Sequence, residues 1–198
     1  RLAHGEKVSS SRVRRCRSTR PRGASFPRIA SPDLGRWAYW RMPFRPVYGH
    51  QLLRDRLAAA WHGDRLPASL LFVGRRGVGK QRLALWLGQM LLCERAQVEA
   101  LPEPCGACQH CRYAERGNHP DLRWFFPRPR LKDGDASADD VRADLADAIA
   151  ERMSADGLWA PSVGTDGIHI ATVRALVSQA SVRPAMATRA VFVVGDAE

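Results

Sequence analysis

Seven consecutive residues, Gly74-Arg75-Arg76-Gly77-Val78-Gly79-Lys80, fit the pattern G-x-x-x-x-G-K. That pattern suits a bound phosphate. Glycines reach positive φ and let the backbone come close to an anion. The N–H groups of the turn and of the helix behind it point at the anion, and the lysine reaches the terminal phosphates. Only three of the 31 basic residues are lysine (Lys7, Lys80 and Lys132), so a lysine at this place is not a by-product of composition. Gly74, Gly77, Gly79 and Lys80 are therefore the nucleotide-binding candidates. Position 81 is Gln, where the pattern ordinarily carries Ser or Thr to coordinate Mg²⁺. A longer amide oxygen fits an octahedral Mg²⁺ shell poorly. The expectation is a loop that accepts ATP but organises Mg²⁺ weakly for hydrolysis.

A second group of residues points to metal. Of five cysteines, four are clustered: Cys93, then Cys105, Cys108 and Cys111 within Cys105-Gly106-Ala107-Cys108-Gln109-His110-Cys111. Two C-x-x-C spacings share the middle thiol, and C-x-x-C lets two sulfurs hold one ion without strain. Four thiolates complete a tetrahedral Zn²⁺ site and leave no open position, so the expected role is structural. His110 is an alternative ligand. Disulfide and redox readings fit this array less well.

A third feature lies at the end of the chain. The apolar run Ala190-Val191-Phe192-Val193-Val194 is followed by Gly195-Asp196-Ala197-Glu198. A strand that serves a phosphate loop usually ends in Asp-Glu, one carboxylate for the metal and one for the attacking water. Asp196 is the candidate for the metal carboxylate, with Ala197 then in the Glu position. One register earlier, Gly195 replaces the Asp instead. In either register one carboxylate is missing or shortened.

These groups need a scaffold, and the hydrophobic pattern supplies one. Leu52, Leu53, Leu57, Ala60 and Trp61 have helical spacing, with Pro67 as the breaker. Ser69–Val73 reads as a short buried parallel strand leading into the glycine turn. Residues 80–93 read as a largely buried helix. Asp121–Phe126 reads as a second strand, Ile168-His169-Ile170 as a strand or helix lead-in, and Val173, Leu176, Val177 and Ala180 as a helix face. Alternating strands and helices predict an α/β fold: a parallel sheet flanked by helices, with a four-cysteine zinc module at 93–111. Residues 127–165 read as an insertion whose stripe Val141, Leu145, Ile149, Met153 packs a surface helix on the domain.

The net charge of +11 is unevenly spread. Residues 1–41 hold eleven basic and two acidic side chains, a net of +9, and the remainder is nearly neutral at +2. Basicity therefore belongs to an Arg/Ser/Pro-rich segment expected to be a disordered tail. A nucleic-acid arm, a targeting peptide and a mis-assigned start before Met42 all fit it. The abrupt onset of patterned sequence at Met42-Pro43-Phe44 favours the last. No run reaches the ~18–20 apolar residues of a membrane span, and the default is a soluble intracellular protein.

A phosphate-loop helix that runs directly into a C-x-n-C-x-x-C-x-x-C module resembles the AAA+ subunits of the bacterial DNA polymerase III clamp loader. Phe44-Arg45-Pro46-Val47-Tyr48-Gly49-His50 is similar to that family's adenine-side box, and Gly117-Asn118-His119-Pro120-Asp121 to the segment after its zinc module. The resemblance covers about 42–126 and 166–198. It implies AAA+ domain I over 42–198, truncated at the Walker B strand, and a role in DNA replication in the bacterial cytoplasm. Implied partners are the tau/gamma and delta subunits, and the sliding clamp and primed DNA through the complex. The motor subunits keep Ser/Thr after the lysine and Asp-Glu at the strand end, whereas delta prime tolerates departures at both. Gln81 and Gly195-Asp196-Ala197-Glu198 place this chain nearer delta prime, a subunit of a nucleotidyltransferase complex not itself expected to be catalytic. Two alternatives stand beside it: an active tau/gamma-like motor ATPase, and an unrelated phosphate-loop protein whose zinc knuckle touches nucleic acid.

Overall fold

The computed structural model describes residues 47, 49–131, 136–154 and 164–196. Expectations for residues 1–46, Tyr48, 132–135, 155–163 and Ala197-Glu198 lie outside these residues. Six helices and two strands are described, in the order α1 (Gln51–His62), α2 (Lys80–Leu92), α3 (Glu94–Glu99), α4 (Gln109–Glu115), β1 (Leu122–Phe125), α5 (Ala138–Ser154), α6 (Ile170–Ala180) and β2 (Val191–Val194). None of the described helices is long and apolar enough to cross a membrane.

The strands pair in parallel, Leu122 opposite Val191 through Phe125 opposite Val194. A parallel pair needs a long crossover, and α5 and α6 supply it. Val191 N donates to Asp121 O and Gly195 N to Phe125 O, each at 2.8 Å, so the ladder extends beyond both strand ends.

Helix α2 lies against this pair. Leu85 and Leu92 enter one apolar cluster with Leu122, Trp124, Phe125, Phe126 and Val193. Leu83, Trp86, Leu87 and Met90 enter a second cluster with Val47, Leu57, Ala58, Cys93, Ala96 and Cys111. The helix is thus buried on opposing faces, as its near-continuous apolar sequence requires. Gly88 marks the closest approach: a Cβ there would lie 2.7 Å from Leu122 Cδ1 and 3.4 Å from Val191 Cγ1.

Two sequence expectations change. Helix α1 stops at His62, where Gly63 N donates to Ala59 O at 3.0 Å, so the helix ends before Pro67 can break it. The expected strand at Ser69–Val73 is not a strand. Leu71 and Val73 are 87% and 84% exposed, and the run carries no ladder bonds. A strand exists only where a neighbour pairs with it, and no described residue forms a ladder with this run, although Phe72 packs on the α1–α2 cluster.

Within the 127–165 segment, α5 packs one face on the domain and leaves the opposite face exposed. Val141, Leu145 and Ala148 of α5 are buried in the cluster of Phe125 and Phe126. Ser137 caps the helix: its Oγ accepts from Asp140 N at 3.2 Å, and Asp140 Oδ2 accepts from Ser137 N at 2.9 Å. Arg128 grips Asp144 with two bonds of 2.9 and 2.8 Å, and Arg128 and Gly167 exchange backbone bonds of 3.1 and 3.0 Å. Ile168-His169 is the lead-in to α6, with His169 its N-cap. Leu145→Ala should cost about 2–5 kcal/mol by leaving a cavity. Denaturant unfolding checks this, and a loss below about 0.5 kcal/mol would mean that α5 lies outside the core.

Candidate metal centre and glycine-rich turn

Cys93 closes α2 and opens α3, its sulfur accepting from Ala96 N at 3.4 Å. Cys108 is the N-cap of α4, accepting from Cys111 N at 3.4 Å, and Cys111 lies in the first turn of that helix. Gly106, at φ 65, makes the tight turn between Cys105 and Cys108. One sulfur from each of Cys93, Cys105, Cys108 and Cys111 falls within 4.8 Å of every other. Cys105 Sγ–Cys111 Sγ is 4.0 Å and Cys108 Sγ–Cys93 Sγ 3.9 Å. A disulfide needs about 2.05 Å, whereas a tetrahedron with metal–sulfur bonds of ~2.3 Å has sulfurs about 3.8 Å apart. The donor set therefore fits a four-thiolate ion. Backbone N–H groups of Cys105 (3.3 Å to Cys93), Ala107 (3.4 Å to Cys105) and Cys108 (3.3 Å to Cys105) also point at sulfurs. Such donors favour the thiolate. Cys93 is pulled down, chiefly by its bond with the Cys111 thiol against the opposing effect of burial. Cys111 is pushed up by that same bond and by burial.

His110 is not a fifth donor. Its Nδ1 meets His119 Nε2 at 2.8 Å and its Nε2 meets Glu94 Oε1 at 3.1 Å. The donors set the tautomers. Asp121 N donates to His119 Nδ1 at 2.9 Å, so that atom carries no proton. His119 Nε2–H then donates to His110 Nδ1, and His110 Nε2–H to Glu94. The Asp121 carboxylate continues the chain by accepting from Ala185, Met186 and Ala187 N at 2.6, 2.8 and 2.7 Å. Burial works to raise Asp121, and the three backbone donors outweigh it and hold the carboxyl below its usual range. This relay ties α3 and α4 to the loop before β2. The segment Gly117–Asp121 is singled out in the sequence only by resemblance, and the partners of its Asp121 carboxylate lie 64 to 66 residues further on, beyond any local pattern.

The turn at 74–79 is left-handed at Gly77 (φ 80) and Gly79 (φ 96), the latter capping α2. Gly74 lies at its start. Lys80 Nζ reaches back to Gly74 O at 2.7 Å and Arg75 O at 3.3 Å, so lysine and glycines share one turn. His50 Nε2 meets Val78 O at 2.9 Å and ties the turn to α1. Gln81 packs on Gly195 at the end of β2. Asp196 lies one residue further, left-handed at φ 49. Its carboxylate acts on Arg152, whose guanidinium stacks 3.6 Å from the Phe126 ring centroid; burial lowers that guanidinium and Asp196 opposes the effect. Arg152 and the Gln81–Gly195 contact carry no signal in the linear sequence, because each joins residues distant along the chain.

His119 gives the site a pH signature. Burial first, and His110 second, pull it down from 6.5 to about 4. The folded protein keeps it neutral while the unfolded chain protonates near 6.5. Its contribution is therefore complete above the unfolded value and lost as pH falls toward the folded one, by up to about 3 kcal/mol. Urea unfolding across this range should show the loss, and His119→Gln should flatten it. An unchanged slope in the variant would remove His119 as its source.

Comparison of the sequence with known proteins shows the family. The family described as "DNA polymerase III, delta subunit" matches residues 49–198, including 127–165. DNA polymerase III subunit delta' of Yersinia pestis is 30% identical over 147 residues, 71% of this chain and 38% of that protein. Subunit delta' of Bacillus subtilis (strain 168) is 42% identical over 64 residues, 32% of this chain and 18% of that protein. Subunit tau of Escherichia coli (strain K12) is 37% identical over 84 residues, 42% of this chain and 13% of that protein. The chain thus spans well under two thirds of the length of these relatives. With most of its residues matched by one family and aligned relatives that are DNA polymerase III subunits, the chain belongs to the DNA polymerase III delta' clamp-loader family.

Proposed function

We propose that this chain acts in DNA replication as a delta'-type subunit of the bacterial clamp loader, a rigid partner with no motor activity of its own. Residues 42–198 would form its AAA+ domain I, with the zinc module at 93–111. The observation that carries the non-motor reading is Gln81, whose amide packs on Gly195 where a metal-binding hydroxyl and carboxylate would be needed. The partners would be tau/gamma and delta subunits, acting together on the sliding clamp and primed DNA in the cytoplasm. Gly74, Gly77, Gly79 and Lys80 would hold the phosphates of a nucleotide, since glycines, lysine and helix N-terminus converge on one turn. The retained Lys80 is also what favours the second reading, a tau/gamma-like motor. Mixing the full-length protein with tau/gamma and delta subunits tests the assignment. Co-elution as one complex is expected, and separate elution at micromolar concentrations would refute it.

Cys93, Cys105, Cys108 and Cys111 would hold one structural Zn²⁺, which when bound locks α2, α3 and α4 together. Metal analysis of the purified protein should find one zinc per chain. Cys111→Ser should lose it and lower the melting temperature by roughly 10 °C or more. Full stability without zinc would contradict the assignment.

A further inference from the structure

Gln81 sits in the first turn of α2, and its Nε2 and Oε1 are buried without a hydrogen-bond partner among the described residues. Its amide lies on the end of β2. A Cβ added to Gly195 would be 2.6 Å from Gln81 Cδ, 2.8 Å from Nε2 and 3.0 Å from Oε1. A side chain at 195 would force the Gln81 amide out of this position. Strand alternation makes the contact specific. Val191, Val193 and Gly195 share the face that α2 covers, as the 3.4 Å approach between Val191 Cγ1 and a Cβ on Gly88 shows. Gly195 is also held in the ladder through its bond to Phe125 O at 2.8 Å. The residue that faces position 81 is therefore Gly195, and Asp196 turns away from the ladder at φ 49 and acts on Arg152.

We infer that Gln81 and Gly195 form one interlock that fills the place of a divalent cation, so that a nucleoside triphosphate on the 74–80 turn is held without metal. A cation bridging phosphate and protein there needs an oxygen from residue 81 and a carboxylate from the strand end. Here the amide is turned onto the strand and the facing residue has no side chain. The counter-charge comes instead from Lys80 and from Arg75 and Arg76 on the exposed turn. The two departures from the phosphate-loop pattern are thus one coupled change. The ligand rests on the nucleotide reading above, whereas the interlock does not.

Two measurements on the full-length protein separate these claims. ATP affinity is measured by calorimetry in EDTA and in millimolar magnesium. The expected values agree within about twofold, and Lys80→Ala abolishes binding in both buffers. A magnesium-dependent gain of about tenfold or more, equivalent to 1.4 kcal/mol, overturns metal-free binding. Absence of binding in both buffers overturns it together with the nucleotide reading. The interlock is then decided by a double-mutant cycle of Gly195→Ala and Gln81→Ala. Gly195→Ala should lower the folding equilibrium constant by about tenfold with Gln81 present, and by less than about threefold in the Gln81→Ala background. Equal losses in both backgrounds would sink the interlock.

Discussion

Burial of α2 on opposing faces is the constraint on which the rest of the structure depends. One side meets the β1–β2 pair through Leu85, Gly88 and Leu92, and the other meets α1 and the cysteine module through Leu83, Trp86, Leu87 and Met90. A helix held so tightly has little freedom to tilt, because displacing it opens two apolar clusters at once. Its ends carry the two candidate sites: Lys80 opens it and Cys93 closes it. At 1.5 Å per residue they are roughly 20 Å apart, fixed by the same rigid rod. A metal on Cys93 would pin the far end of the helix whose near end forms the glycine turn.

The two ends differ in completeness. At the cysteine end, four sulfurs, several backbone donors and the His110–His119 relay all support one geometry. At the glycine turn the backbone is left-handed at Gly77 and Gly79, and the Gln81 amide is packed on Gly195. An unmatched buried amide such as that of Gln81 costs about 1–3 kcal/mol, a penalty its packing against Gly195 and α2 must offset. The proposed scaffold role rests on this contrast, since hydrolysis requires charges placed where they develop in the transition state.

Much of this was legible from residue types. The periodicity of residues 80–93 located α2, the run Val191–Val194 located β2, and C-x-x-C spacing identified the sulfurs that converge. What failed did so for physical reasons. The apolar run Ser69–Val73 has strand composition, but strand formation depends on a partner that composition does not reveal. The stripe Val141, Leu145 marked the buried face of α5, whereas its partners Phe125 and Phe126 are distant enough along the chain to leave no local signal. The choice between Gly195 and Asp196 stayed open because a one-residue shift exchanges the two faces of a strand. The ladder bond of Gly195, its contact with Gln81 and the left-handed turn at Asp196 distinguish them in the structure. The bonds from Asp121 to Ala185, Met186 and Ala187 are long-range and leave no local pattern.

The central claim is that a chain with a phosphate-shaped turn works here as a rigid partner and not as a motor. Steady-state ATP hydrolysis by the isolated full-length protein, with saturating magnesium and primed DNA present, tests this most directly. The account predicts no turnover above that of the Lys80→Ala variant. Robust magnesium-dependent turnover that Lys80→Ala abolishes would contradict it.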